Sequence, residues 1–581
     1  MILKFVFETP SRVGIIEKIS KRVAKKVGVK IGFDRDLENI YAYIEGDEKD
    51  IESFSRELAN ELPLSIFLKS LNAEVVEEFR DEKIDEFPNI SLPPCPKCLR
   101  EFKDINSEHY LDIYHHCEVC GYDVREKADI QNPKEFFSAL VNKLKENGKI
   151  SIQTMNGAYE LSQNLEEAQI VAAKDLASIA KYFMAFEGDA KALASIEKPL
   201  VKLKTNLEFK KTFGLSIPAF DVKLPDCLIL EAIFELGDFE ILGLKKCDNP
   251  QDLAFDVTVE KTPMAVVTDS VKKDILLYEG DRGIIPTFEK VQLSGILGVY
   301  KQYGAYSDQK RSVIDNKNFP NFEKKEAKPA FAGFYGVLSQ WELEEKNIMG
   351  FCFYKEDESK IFINSPKFGL VEYIDFIFKF ENFEEIFALI SAMNDTGKKL
   401  IQNFAKREPE LFEKALKADI SSNKNGIYYL WGLIGVVLGF ADNVEKAADK
   451  LLKYANEAMT KKGPRIDYKM NGNNLDPLWA IRTAMSFHLA GVDNYLLSYG
   501  VIESFAEFLS NNYDQVNKET PLDGAIIVGD LFEGEFLNKI YSYIDKNYKV
   551  YTPKALPISG AIEAYGSLVI NTNLKKNEEK N

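Results

Sequence analysis

The sequence predicts a multi-domain protein of mixed α/β and α+β class. Three observations carry that expectation. A length of 581 residues exceeds what one hydrophobic core organises. Segments at strand period alternate with segments at helix period along most of the chain. Two Cys-x-x-Cys pairs interrupt that alternation near residue 100. A composition that is 45% apolar and 12% aromatic can bury several cores, which excludes global disorder.

Taken in order, Leu3 to Glu8 and Asn39 to Glu45 read as strands, the second from the alternation in NIYAYIE. Between them, Ile15 to Val27 places apolar residues at helical spacing with lysines opposite. A second amphipathic helix covers about 47–62, and a strand follows near 73–78. Strand, helix, strand, helix, strand within some 80 residues predicts a split βαβ, ferredoxin-like unit over residues 1–85. The Pro- and Cys-rich segment 86–130 separates it from residues 131–290. That region opens with a helix (PKEFFSALVNKLKENG), a strand (KISIQT) and further mixed α/β sequence. The polar, charged stretch within 291–328 reads as an exposed linker. Residues 329–575 mix strands with long helical patterns, including Val444 to Met459 and Ile502 to Leu509, and 576–581 read as a frayed tail.

The net charge of −17, from 74 basic and 91 acidic side chains, argues against a non-specific nucleic-acid or anionic-membrane binder, since both need a basic footprint. The longest uncharged stretch, Gly426 to Ala441, has 16 residues and falls short of the ~20 that span a bilayer. It reads as a buried, Gly-containing helix. The N-terminal MILKFVFETP is too short an apolar run for a signal peptide. An odd set of seven cysteines without regular disulfide spacing fits a reducing compartment. The expected location is cytoplasmic.

Cys95-Pro-Lys-Cys98 is followed after 18 residues by Cys117-Glu-Val-Cys120. Two such knuckles at this separation set four thiolates tetrahedrally around one Zn²⁺. The alternative is a pair of redox dithiols, but a thioredoxin-like motif comes once and in a βαβ context. Four protein ligands leave no open position for water, so one structural, non-catalytic zinc per chain is expected on Cys95, Cys98, Cys117 and Cys120. His109, His115 and His116 lie inside the loop and are expected to line the site or face solvent.

PCPKCLREF followed by CEVCGYD resembles the zinc-finger region of the HypF family, the carbamoyltransferases of NiFe-hydrogenase maturation, with Leu99 and Glu101 also matching. The order of weaker matches extends the resemblance along nearly the whole chain. GKISIQTMNGAYELSQNLEEA is similar to a segment of the family's YrdC-like domain through Gly157, Tyr159 and Leu161. TDSV and LLYEGDRGIIP match through Asp269, Ser270, Val271, Arg282, Gly283 and Pro286. VVLGFADNVEKAADKLLKYA, AIIVGDLFEGEFL and PISGAIEAYGSL are similar to motifs of its last domain. The resemblance implies an acylphosphatase-like domain at 1–85, a four-cysteine zinc finger at 86–130 and a YrdC-like domain at 131–290. It further implies a degenerate threonylcarbamoyltransferase-like domain of the actin/Hsp-type ATPase superfamily at 329–575.

Departures from the family pattern bear on chemistry. The family's acylphosphatase site uses an Arg and an Asn; aligned positions here hold Glu17 and Arg35, and an acidic side chain there repels phosphate. Arg12 and Lys18 are the nearby cations. The family carries two zinc fingers and this chain one. Its phosphate-binding Lys aligns with Thr154, and its basic stretch has no counterpart between Leu161 and Ala185. Its His-rich metal segment is missing: of four histidines, three lie in the zinc region, and His488 sits on an apolar helix where a hydrogen-bonded core role is the simpler reading. Gly529 and Gly560 remain at the nucleotide loops, beside Asp530 and within Ile558-Ser559-Gly560-Ala561. Isolated glycines are more often turns than phosphate cradles, so ATP binding is open but not favoured. Trp341 and Trp431 read as core or interface residues.

The resemblance thus implies a diverged HypF relative of the HydE-type accessory proteins, required for assembling NiFe hydrogenase as a scaffold without catalytic residues. Its implied partners are hydrogenase maturation proteins or the hydrogenase large subunit. The alternative is an active ATP-dependent carbamoyltransferase. A tRNA-modifying enzyme is the weakest reading, since the basic surface is missing.

Overall fold

The computed structural model describes residues 1–9, 14–36, 39–82, 92–120, 122, 130–154, 157–253, 266–267, 278–279, 295–307, 312–315, 322–421, 426–553 and 556–578. Contacts divide the chain into two compact units, Met1–Phe288 and Glu289–Asn581.

The first unit opens with β1 (Ile2–Glu8), α1 (Ile15–Val27), β2 (Lys30–Arg35), β3 (Asn39–Glu45), α2 (Glu48–Glu61) and β4 (Ser70–Val76). The sheet order β2-β3-β1-β4, antiparallel throughout, is the split βαβ arrangement. Ile15, Ile16, Ile19 and Val23 bury one face of α1, as the helical spacing predicts. Gly28 ends the helix in the left-handed region at φ 87°, its N–H donating to the Ala24 carbonyl, a role that suits glycine. Asp47 caps α2 by accepting the Asp50 N–H at 2.8 Å. Sequence reasoning missed β2, whose KIGFDR alternates weakly and contains a glycine. Its inner face rests on Phe33, only 2% exposed.

A nine-stranded mixed sheet follows among the described residues. Helix Pro133–Asn147, capped by Asn132 with proline at its first turn and closed by left-handed Gly148, leads into strand Lys149–Thr154. At the sheet's centre lie Ile170–Ala173 and Ile241–Lys246, flanked by Gly157–Ser162 on one side and Ala219–Lys223 with Leu200–Thr205 on the other. The first sheet locks onto this second layer. Ile66 and Phe67 belong to a core shared with Val171, Ile179, Val201 and Phe220. The buried Glu197 carboxylate accepts the Ser65 hydroxyl at 2.6 Å and the Ile66 N–H at 3.1 Å.

The second unit, among the described residues, holds a four-stranded and a seven-stranded sheet. The expected linker 291–328 is corrected here. Strands Ile296–Tyr300, Tyr303–Ser307, Ser312–Asp315 and Glu323–Lys325 form the smaller sheet, with Leu297, Tyr300, Ala305 and Tyr306 buried. Gly298 approaches so close to helix Ala561–Glu578 that a Cβ would lie 2.4 Å from the Ala564 carbonyl oxygen. Lysines and acids on short edge strands, which read as linker composition, are a common way of blunting a sheet edge. The expected tail is corrected in part: residues 576–578 are the end of that last helix, and 579–581 lie outside the described residues.

In the larger sheet, the adjacent interior strands Ile348–Cys352 and Gly524–Val528 run parallel with every residue buried, the pattern of a strand covered on both faces. Helix Ile427–Val437 is buried along its whole length, as expected. Gly432 and Gly435 let it meet helix Val444–Glu457; a Cβ on Gly432 would lie 2.3 Å from the Val444 carbonyl oxygen. The expected helix 502–509 is the middle of a longer one, Asn494–Glu519. No helix among the described residues is long and apolar enough to cross a membrane.

Candidate metal centre

Cys95 caps the short helix α3 (Pro96–Lys103), with Pro96 in its first turn and the Leu99 N–H donating to the Cys95 carbonyl at 3.0 Å. This places Cys95 and Cys98 on one turn, facing inward. The second knuckle is held by main-chain bonds from Leu92 N–H to Cys120 O and from Cys117 N–H to Tyr122 O, each 3.0 Å. All four sulfurs converge within 4.8 Å of one another, and none of these four cysteines is more than 3% exposed. Cys95 Sγ to Cys98 Sγ is 3.6 Å and Cys98 Sγ to Cys120 Sγ is 3.8 Å. Four sulfurs about 2.3 Å from one ion in a tetrahedron stand roughly 3.8 Å apart. The donor set therefore fits a thiophilic metal ion such as zinc. The thiols already share protons unevenly. Donation from Cys120 pulls Cys117 far below the ordinary thiol range and pushes Cys120 up in turn.

The cluster sits inside a continuous core with Phe102, Leu111, Ile113 and Tyr122, joined to Phe137, Leu140 and Leu228. The Tyr122 hydroxyl accepts the Leu228 N–H at 3.4 Å, and Lys103 pairs with Glu231 at 2.8 Å. A metal here would brace the junction between the split βαβ sheet and the large sheet. The loop histidines separate: His116 is exposed, whereas His109 and His115 come together, ring centroids 4.1 Å apart.

The positions expected to have lost catalytic groups are filled by internal partners. Glu17 and Arg35 are 2% and 6% exposed and form an ion pair at 3.2 Å, so the guanidinium is already paired with an internal carboxylate. Lys18 is exposed, and Arg12 lies outside the described residues. Thr154 is buried and donates its hydroxyl to the Gly157 carbonyl at 2.9 Å. Nearby, Lys223 is fully buried against Asp226 at 2.7 Å and lies over the Tyr159 ring at 5.4 Å. Sequence reasoning missed that cation, because nothing in AFDVKLPDC marks a lysine as interior. Within 161–185, Lys181 is held by Glu240 at 2.7 Å. Asp269, Ser270, Val271, Arg282, Gly283 and Pro286 lie outside the described residues.

The two loop glycines of the last region are also occupied. Gly529 N–H donates to the Ile558 carbonyl at 3.0 Å, and Gly560 N–H donates to the Glu563 carboxylate. A Cβ on Gly529 would lie 2.0 Å from Phe353 O, and one on Gly560 2.6 Å from the Tyr303 ring, so both glycines serve close packing. Glu563, unforeseen from sequence because it sits in an apolar helix, also accepts the Tyr354 hydroxyl at 2.6 Å. Burial pushes its carboxyl up to about 7. Asp530, raised by burial as well, accepts the Lys355 N–H at 2.8 Å. His488, expected in the core, is half-buried in the last turn of helix Pro477–Leu489 and joins no cluster of three metal-ligating side chains among the described residues. Trp431 is buried with its Nε1–H on the Tyr468 hydroxyl at 3.3 Å, and Trp341 donates to Thr552 O at 2.7 Å. Both are structural.

No protein-family model matches the chain. Among solved structures, a full-length HypF in its phosphate- and nucleotide-bound form superposes with a TM-score of 0.64, 16% identity and coverage of 99% of this chain and 98% of that one. HypF of T. kodakarensis superposes with a TM-score of 0.66 and 11% identity over 98% of both chains. The chain has the HypF fold. Likeness over nearly the full length of two HypF structures means that the order of folded regions is shared, not a single common domain. Among curated proteins, Protein HydE of Wolinella succinogenes is 24% identical over 96% of this chain and 99% of its own length. The weak sequence matches to HypF follow one order along the chain, and the fold explains that order.

Proposed function

We propose that this protein is an accessory factor in NiFe-hydrogenase maturation that keeps the HypF architecture as a scaffold and has given up carbamoyl transfer. The observation that carries the reading is the contrast between a fold matching HypF end to end and internal partners at the positions the family's chemistry would use. Arg35 is neutralised by Glu17, a threonine stands in place of a lysine, and the Gly529 and Gly560 N–H groups are spent on Ile558 and Glu563. A triphosphate entering that loop would meet the carboxylates of Asp530 and Glu563 in place of free backbone donors. In this reading residues 1–85 correspond to the acylphosphatase-like part, 131–290 to the YrdC-like part and the last region to the threonylcarbamoyltransferase-like part. One Zn²⁺ per chain, held by Cys95, Cys98, Cys117 and Cys120, has a structural role. The partners are other cytoplasmic maturation proteins or the hydrogenase large subunit.

The test is direct. Purified protein given carbamoyl phosphate and ATP is expected to release no AMP or pyrophosphate above background, while deletion of its gene lowers NiFe-hydrogenase activity. Turnover on the order of 1 per second or faster would replace this reading with that of an active carbamoyltransferase. Normal hydrogenase activity in the deletion strain would remove the maturation role.

A further inference from the structure

The loop between the two cysteine knuckles gathers a second set of metal-binding side chains whose donors are nitrogen and oxygen instead of sulfur. His109, Asp112 and His115 bring one ligand atom each within 4.8 Å of one another. Their spacing follows from two successive turns. Asp112 N–H donates to His109 O at 3.1 Å and His115 N–H to Asp112 O at 3.4 Å, which stacks residues i, i+3 and i+6 on one side. Leu111 between them takes a left-handed conformation, φ 56°, its side chain buried and its N–H on the Phe102 carbonyl at 3.0 Å. A leucine at positive φ is strained, and here it holds the loop against α3, which carries Glu101.

The side chains are arranged as ligands more than as hydrogen-bond partners. His115 is 7% exposed, and neither of its ring nitrogens has a hydrogen-bond partner; His109 Nδ1 and Glu101 Oε2 are likewise buried without one. His109 Nδ1 lies 3.5 Å from Asp112 Oδ2, and His115 Nε2 lies 3.6 Å from Glu101 Oε2. These separations are too long for good hydrogen bonds, yet two ligands about 2.1 Å from a tetrahedral ion stand roughly 3.4 Å apart. The other oxygens are engaged elsewhere. Asp112 Oδ1 accepts the Tyr114 N–H at 2.9 Å, and Glu101 Oε1 faces Lys97 at 3.5 Å, which orients the remaining oxygens as outer partners of metal sites do. Two imidazoles and the Asp112 carboxylate suit a divalent transition ion, and the Glu101 carboxylate beside His115 adds the second negative charge that balances it.

We propose that His109, Asp112 and His115 form a second divalent transition-metal site, flanked by Glu101 beside His115, separate from the four cysteines and free of sulfur ligands. Because His109 and Asp112 are partly exposed, this ion exchanges with solvent, unlike one enclosed by four buried thiolates. The proposal stands apart from the maturation reading.

The experiment uses the full-length protein carrying zinc on its cysteines. Titrated with Co²⁺, it is expected to take up one further equivalent whose absorption spectrum shows visible d–d bands but no near-ultraviolet thiolate charge-transfer band. In equilibrium dialysis against a fixed free Zn²⁺ concentration, elemental analysis corrected for the dialysate should find two zinc ions in the wild type and one in His109→Gln/His115→Gln. Asp112→Asn, which keeps the carbonyl oxygen that caps Tyr114, should weaken the second equivalent by about tenfold or more and leave the first in place. A wild type that holds one ion, or variants that keep the second with unchanged affinity, would overturn the proposal. Should the double variant also lose its cysteine-bound zinc, Asp112→Asn alone decides by the same criterion.

Discussion

The cysteine loop and the glycine loops of the second unit are both built to bring polar groups together, yet they are left in opposite states. Around Cys95, Cys98, Cys117 and Cys120 the sulfurs converge on one another. At Gly529 and Gly560 the backbone donors that a phosphate would need have internal acceptors. Burial alone therefore does not mark a binding site, since both places are buried. What distinguishes them is whether the chain has provided its own partner. A site kept for a ligand leaves donors converging on a common point, whereas a place the chain satisfies itself is filled by a carboxylate, a ring or a carbonyl.

Three substitutions test that contrast, in descending order of effect. Cys117→Ala removes one of the four converging sulfurs. Because structural zinc contributes about 10 kcal/mol or more in small domains, the variant is expected to lose its metal by elemental analysis and to become protease-sensitive around residues 92–122. An unchanged metal content would mean that the cysteines are not the ligands. Glu17→Ala works in the opposite sense, turning a self-satisfied place into a wanting one. It removes the carboxylate paired with the buried Arg35 guanidinium and should lower stability by about 3 kcal/mol in denaturant melts, with added phosphate restoring part of the loss. A variant as stable as wild type would show that the pair is not the partner that matters there.

Glu563→Gln gives the smallest effect at neutral pH and the sharpest pH signature. The folded carboxyl is raised from 4.5 to about 7 by burial, so the native state holds its proton more tightly than the unfolded chain does. That contribution is fully present below pH 4.5 and is lost as pH rises toward 7. At one pH unit for each 1.36 kcal/mol, the loss is on the order of 3 kcal/mol. Glutamine mimics the protonated form, so the variant should lack this slope and overtake the wild type above about pH 7. Parallel stability-versus-pH curves for the two proteins would contradict the assignment.

Much of this was legible in the sequence, and the reasons for success and failure are physical. The Cys-x-x-Cys pairs announce their site because metal ligation imposes a local spacing. The amphipathic stripe of α1 and the uncharged helix 427–437 were visible because burial imposes a period. The β2 strand was not, since KIGFDR pairs through main-chain bonds that leave little side-chain pattern. Residues 296–325 were misread as a linker because charged edge strands have the composition of a loop. Long-range partnerships were the least accessible. Glu563 meets Tyr354 across 209 positions and Glu197 meets Ser65 across 132, and neither leaves any mark on the residues beside it. His109, Asp112 and His115 fell between these extremes: their spacing was visible, but the left-handed turn at Leu111 that brings them together was not.

The insertion of Ile66 and Phe67 into the core of the large sheet has a consequence for how the first unit can be dissected. A polypeptide ending before the cysteines would expose those two side chains to water. It would also leave Ser65 and the Ile66 amide without the Glu197 carboxylate. Such a fragment lacks part of its own interior, so silence from it in a phosphatase assay would be ambiguous between a missing active site and a missing neighbour. The same interlock makes residues 1–82 poor candidates for transplantation as an independent cassette, whereas the whole of Met1–Phe288 is the natural piece to express, label or fuse.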